Sequence, residues 1–517
     1  MKTALQHFGF VLLFGALLLG CKEQEKKQKV SQPNIVLFLV DDMGWQDTSV
    51  PFWNKRTPFN DRYRTPNMER LAAEGMKFTQ AYATPVCSPT RLSLITGMNA
   101  ARHRVTNWTL HKNAIQPMEN NHPTLGFPKW NTNGINPQDN TDSLAVYATP
   151  FPQILKDAGY FTVHTGKAHF GAIGTPGENP LNLGFDVNIA GHAAGAPESY
   201  YGMQNFGNGK KGKEIWAVPG LEKYHGKDIF LTEALTQEAL QKLDSNLDQK
   251  PFFLYMAHYA VHTPIMGDPR FVQGYLNKGL DSTEAKYASM VEGMDKSLGD
   301  IMDYLEEKQL AENTIILFMS DNGGLSAVAR GGEPHTHNKP LASGKGSIYE
   351  GGIREPMLVK WPGKTTPGSV TNTPVIIEDF FPTILEMTGV ESPKVVQAVD
   401  GQSFTSLLQG DDISADNRPF FWHYPNEWGP EGPGIDAFSA IRLGDWKLIY
   451  FHKNQQMELY NIKEDIGEAQ NKVGEHPEKV KELANILTEH LIAVDAQMPF
   501  DKATGEQIPW PNATQPE

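Results

Sequence analysis

Residues 35–40, Ile-Val-Leu-Phe-Leu-Val, form an unbroken apolar run that stops at Asp41-Asp42. A short run of this kind, ending in polar residues, reads as a strand buried on both faces. Residues 252–256 and 314–319 repeat the pattern, leading into His258 and into Ser320-Asp321-Asn322-Gly323-Gly324, and 160–164 is a further strand candidate. Between these runs the period changes. Met290, Met294, Leu298, Ile301 and Leu305 recur at helical spacing over 287–307. Pro66–Glu74 reads as a helix with Thr65 as N-cap and proline at its first position, and 377–387 as another. Strands alternating with helices predict an α/β fold: a mainly parallel central sheet with helices on both faces. In such sheets the site forms beyond the C-terminal strand ends. Asp41, Asp42, Asp321 and Asn322 are therefore expected to converge, far apart as they are in sequence.

From about residue 395 the texture changes. Residues 420–424 and 440–451 look like short antiparallel strands, and 477–494 like a closing helix with proline at its start. This predicts a smaller C-terminal α+β subdomain over 395–517, beside a catalytic domain over 34–394. Residues 110–150 and 195–225, rich in Gly, Asn and Pro, read as long loops of the kind that line a substrate site. At the N-terminus, Lys2 precedes an apolar stretch over 11–19 that is too short to span a bilayer. It closes on Leu18-Leu19-Gly20-Cys21, which resembles the lipobox of bacterial lipoproteins. The resemblance implies a signal peptide over 1–20, a lipid on Cys21 that holds the protein on a membrane, and a charged tether over 21–33. The protein is then expected to be exported and anchored to the cell envelope, in the periplasm or on the outer-membrane surface.

Composition changes this picture little. Hydrophobic residues are 39% of 517, which suits a globular enzyme, and a net charge of −14 argues against nucleic-acid binding. There are only two cysteines, so no disulfide framework is available. The second, Cys87, opens Cys87-Ser88-Pro89-Thr90-Arg91. Pro89 suits the first turn of a helix, which places Cys87 at a helix N-terminus and Arg91 on the same face four residues on. A nucleophile there, beside a fixed cation, is suited to receive an oxyanion.

Further motifs accompany it in order: Asp41-Asp42-Met43-Gly44, Thr165-Gly166-Lys167-Ala168-His169, His262-Thr263-Pro264, Ser320-Asp321-Asn322-Gly323-Gly324, and Gly344-Lys345-Gly346 followed by Tyr349-Glu350-Gly351-Gly352-Ile353-Arg354. With them the chain resembles the sulfatase family of the alkaline-phosphatase superfamily over nearly the whole length that follows the expected signal peptide. The resemblance implies that Cys87 is oxidised to formylglycine by a separate maturation enzyme. It implies that Asp41, Asp42, Asp321 and Asn322, with the group at 87, bind a divalent cation. The oxygen-only ligand set suits Ca²⁺, with Mg²⁺ the alternative. The hydrated aldehyde is expected to attack sulfur and later collapse to expel sulfate. Arg91 is expected to orient it, Lys167 and Lys345 to bind sulfate oxygens, His262 to protonate the leaving oxygen and His169 to accept the proton of collapse, the last two roles being interchangeable. The implied substrates are sulfated polysaccharides or their oligosaccharides, of algal galactan, ulvan or glycosaminoglycan type. The rival readings are a phosphodiesterase or phosphonate monoester hydrolase of the same superfamily, and an inactive glycan-binding lipoprotein. His335, His337, Arg102, His103, His192, His258, Trp422 and His423 are weaker candidates for substrate contact, and surface or packing roles are the better reading for the last six.

Overall fold

The computed structural model describes residues 32–116, 122–247, 249–391, 393–411 and 417–514. The expected signal peptide and the lipid-bearing Cys21 lie outside the described residues, as does all of the tether but residues 32 and 33. No helix among the described residues is long and apolar enough to cross a membrane.

The apolar runs become the strands of one nine-stranded sheet: β1 (Asn34–Val40), β2 (Met76–Tyr82), β3 (Phe161–Gly166), β4 (Val187–Ile189), β5 (Phe252–Ala257), β6 (Thr314–Ser320), β7 (Arg354–Lys360), β8 (Ser369–Thr371) and β9 (Val375–Ile376). The order is β8-β2-β7-β6-β1-β5-β3-β4, with β9 also on β2. β7 runs against both its neighbours, and every other pair is parallel. Every side chain of β1 is buried, which is why its sequence is continuously apolar rather than alternating. Ile35, Leu37 and Leu39 face one core layer, and Val36, Phe38 and Val40 the other.

Helices cover both faces. On the second layer, α1 (Pro66–Glu74), α3 (Leu231–Asp244) and α4 (Ser282–Glu307) pack together. On the first lie α2 (Cys87–Thr96) and α5 (Phe380–Met387). The capping of α1 departs from expectation. Thr65 is its N-cap residue, but its hydroxyl bonds to Ser49 and Thr48 instead. Asp295, from α4, accepts from the Asn67 and Met68 amides at 3.1 and 2.8 Å. A carboxylate 228 residues away does the work of a local cap. The helix expected over 377–387 opens as a 3₁₀ turn, Ile377–Asp379, before α5 begins.

The second sheet is antiparallel: β10 (Pro419–Tyr424), β11 (Phe438–Leu443), β12 (Trp446–Phe451) and β13 (Met457–Asn461). One face meets α6 (Pro477–Ala493) through Ile441, Leu448, Leu459, Leu483 and Leu487. The other, through Trp422, Tyr424, Phe438 and Ile449, continues the first core layer of the large sheet. The described residues from 32 onward group as one compact unit.

Candidate active site

Five segments leave the same edge of the large sheet. Asp41 and Asp42 follow β1, Lys167 and His169 follow β3, His262 follows β5, Asp321 and Asn322 follow β6, and Cys87 follows β2 at the start of α2. Lys345 comes from the segment before β7. Because β7 runs backwards, its N-terminal end lies at this edge too. One reversed strand thus brings a residue to the site from the opposite chain direction.

α2 is buried over its whole length and ends at Gly97, whose φ of +68° is the left-handed conformation glycine adopts freely. Arg91 is therefore fully buried. Its Nε donates to Asp321 Oδ2 at 2.9 Å and its Nη1 to the Lys167 carbonyl at 2.8 Å. Lys167 grips Asp41 with 2.8 and 2.7 Å contacts to the two carboxylate oxygens. Lys345 reaches Asp42 Oδ1 at 2.5 Å, and Asn322 Nδ2 donates to the same oxygen at 2.8 Å. The Asp42 amide donates to Asp321 Oδ1 at 3.3 Å. Asp42 and His169 both take positive φ, 61° and 58°. Non-glycine residues in that region mark locally strained backbone, common at functional sites.

The three carboxylates, Asp41, Asp42 and Asp321, are matched by three cations, Arg91, Lys167 and Lys345. Burial holds the Asp41 carboxyl well above its usual range, with Lys167 opposing only in part. Asp42 Oδ2 and Asn322 Oδ1 are buried without a hydrogen-bond partner. Buried polar atoms are rarely left so, and two oxygen donors free beside Asp41 and Asp321 fit a hard divalent cation. Asp41, Asp42 and His262 also offer ligand atoms within 4.8 Å of one another. His262 Nε2 is 3.7 Å from Asp42 Oδ2. The residue expected as an acid thus stands where a ligand could be.

His169 Nδ1 lies 3.2 Å from Cys87 Sγ, and its Nε2 is 2.8 Å from the Thr109 carbonyl. A carbonyl only accepts, so Nε2 carries the proton and Nδ1 turns a lone pair toward position 87. Burial, with Lys167 and Arg91, holds the ring well below its usual range, hence neutral. Burial and Lys345 push His262 down to about 3. For Asp42, burial acts upward, but Lys345, His262 and Lys167 prevail and hold it well below the carboxylate range. Burial raises the Cys87 thiol, with Lys167 and Lys345 offsetting only part. An unmodified Cys87 is thus a protonated and weak nucleophile.

Above this floor opens a cleft of about 560 Å³. Asp42, Cys87, His169, His262 and Lys345 reach it, whereas Asp41, Arg91, Lys167, Asp321 and Asn322 lie beneath. Its walls include Trp108, Glu198, Lys213, Trp216 and Trp428, which the motifs did not single out. Trp216 and Glu198 belong to the 195–225 stretch, whose loop composition was the available signal. The described part of 110–150 contributes nothing to the wall. The weaker candidates stay out of the cleft. His337 bonds to Ser326 and the Gly331 carbonyl, and His335 lies against Gly432. Arg102 pairs with Asp400, His103 with Ser93, His258 with Ser297, His423 with Ser439, and Trp422 donates to the Ala83 carbonyl. The carbonyl of His192 takes the His169 amide at 3.3 Å.

Residues 33–390 match the family described as Sulfatase, and residues 343–497 match the C-terminal region of N-sulphoglucosamine sulphohydrolase. A sulfatase of Formosa agariphila is 30% identical over 99% of this chain and 98% of its own length. Human N-acetylgalactosamine-6-sulfatase is 32% identical over 78% of this chain and 74% of its own. Among solved structures, Ps i-CgsB in complex with k-i-k-neocarrahexaose superposes with a TM-score of 0.70 at 26% identity, covering 89% of this chain and 93% of that one.

Proposed function

This chain belongs to the sulfatase family and is a sulfuric ester hydrolase, and from that premise we propose that it removes sulfate monoesters from sulfated polysaccharides or their oligosaccharides. The galactan and N-acetylgalactosamine classes are our preferred substrates, supported by the relative named N-acetylgalactosamine-6-sulfatase and by the structure in complex with k-i-k-neocarrahexaose. The observation that carries the reading is the meeting of Cys87, His169, His262 and Lys345 at the floor of one cleft, over a buried bed of Asp41, Asp321, Arg91 and Lys167.

Converted to formylglycine by a maturation enzyme, position 87 supplies an oxygen nucleophile that can afterwards release sulfate. The raised thiol favours this over direct attack by Cys87. Asp41, Asp42, Asp321, Asn322 and the group at 87 would hold a divalent cation such as Ca²⁺, which would supply positive charge against the sulfate oxygens; the unpartnered oxygens of Asp42 and Asn322 fit such a ligand set. The chain's own residues do the rest. Arg91, locked to Asp321 and the Lys167 carbonyl, fixes the α2 N-terminus under the reacting group. Lys345 reaches the cleft and Lys167 lies beneath it; they oppose the negative charge that builds on sulfate. His169 offers Nδ1 to position 87 and takes its proton. His262 borders the cleft, takes a proton from solvent and gives it to the leaving oxygen.

The test is to produce the matured enzyme, read the mass of the peptide spanning residue 87, and measure free sulfate from defined sulfated oligosaccharides. Sulfate release that requires the aldehyde mass is the expected result. Faster turnover of a phosphate diester or phosphonate monoester in the same assay would replace this reading. Anchoring through Cys21 is proposed from the N-terminal motif, and Cys21→Ala should move the protein from the membrane fraction to the soluble one.

A further inference from the structure

Trp428 lies in the connection between β10 and β11, yet it lines the cleft beside Lys345. A Cβ built on Gly346 would stand 2.1 Å from Trp428 Cε3. The indole therefore rests on the bare backbone of the residue next to Lys345. The surrounding turn is pinned. The Gly346 amide donates to the Pro85 carbonyl at 2.8 Å, the Ser347 hydroxyl to the Pro433 carbonyl at 2.9 Å, and the Ile348 amide to the Gly434 carbonyl at 3.0 Å. The ring is thus held in register with the ammonium group that meets Asp42 at the cleft floor. Trp108 and Trp216, from two other loops, also line the cleft, and all three rings are partly buried.

A charged floor under an aromatic wall fits a ligand with one anionic group joined to a ring that has an apolar face. We propose that Trp428 is a specificity-determining residue, stacking on the apolar face of the pyranose that carries the sulfate. A galacto-configured ring suits it, because its axial O4 leaves the hydrogens on C3, C4 and C5 together on one face. The inference rests on this cleft being the sulfatase site.

The test uses the full-length Cys87→Ala protein, which cannot turn over, titrated with a sulfated galacto-oligosaccharide and separately with inorganic sulfate, by tryptophan fluorescence and calorimetry. Adding Trp428→Ala should weaken oligosaccharide binding about tenfold, and Trp428→Phe by no more than about threefold. Sulfate affinity should be unchanged in both. An unchanged oligosaccharide affinity in Trp428→Ala overturns the proposal, as does an equal loss of sulfate affinity, since the ring would then only pack the Lys345 turn. If matured wild-type protein releases no sulfate from any ester while the tryptophan-dependent sugar binding persists, the sulfatase chemistry falls and the sugar platform stands.

Discussion

Two of the buried charge clusters among the described residues are built to different rules. Beneath the second sheet, Lys447 donates to the Ile348 carbonyl at 2.7 Å, to Glu350 at 3.1 Å and to Glu468 at 2.8 Å. Glu350 Oε2 takes the Tyr82 hydroxyl at 2.7 Å, and Glu468 Oε2 the Glu350 amide at 2.6 Å. All three ammonium protons and every carboxylate oxygen are used, and none of these residues lines the cleft. At the strand ends, Asp42 Oδ2 and Asn322 Oδ1 remain open, and Lys345 borders the cleft. Both clusters hold strongly perturbed carboxyls. Burial lifts Glu468 to about 7, while against the same influence Lys447 and Arg354 hold Glu350 down to about 2. Perturbation therefore does not separate a scaffold from a site. Unspent donor capacity next to a cavity does.

Substitutions separate the two clusters. The largest effect should come from Cys87→Ala, which is expected to lower sulfate release by on the order of 10⁵-fold while melting within about 4 °C of the parent. Retained turnover would remove position 87 from the chemistry. Next, Lys345→Met should reduce kcat by about 10²–10³-fold. Lys447→Met should instead reduce stability by about 3–5 kcal/mol, because it leaves the buried Glu468 without a cation and removes one of the two cations beside Glu350, with the folded fraction keeping its kcat. If denaturant melts and kinetics show the reverse assignment, the distinction between the clusters fails. Chelation should come third: activity is lost and recovered with Ca²⁺, and saturating ion near 100 times its Kd should restore about 2.7 kcal/mol of stability. Lys447→Met should leave that increment intact. The smallest effect concerns pH. Glu468 has a folded pKa above its unfolded value near 4.5, so its stabilising contribution is full below about 4.5 and is lost as pH rises through about 7. Melting temperatures across that window should fall more steeply for the parent than for Glu468→Gln, and parallel slopes would refute it.

By itself the sequence determined the strands buried on both faces, because continuous apolar runs such as 35–40 leave no other economical place for themselves, and the polar residues that end them. It also carried the residue types of the site, since chemistry restricts which side chains can meet a sulfate and a hard cation. It did not carry β13, where Glu458 interrupts the apolar signal, nor the cap on α1, where Asp295 replaces the local threonine hydroxyl. Nor did it reveal that Trp428, some 80 residues beyond Lys345, settles on the backbone beside it. Those features depend on which surfaces meet after collapse. Local propensity and spacing act over a few residues, whereas the reversal of β7, the seating of an indole on Gly346 and the two unspent oxygens over the aspartates exist only once distant segments are brought within contact.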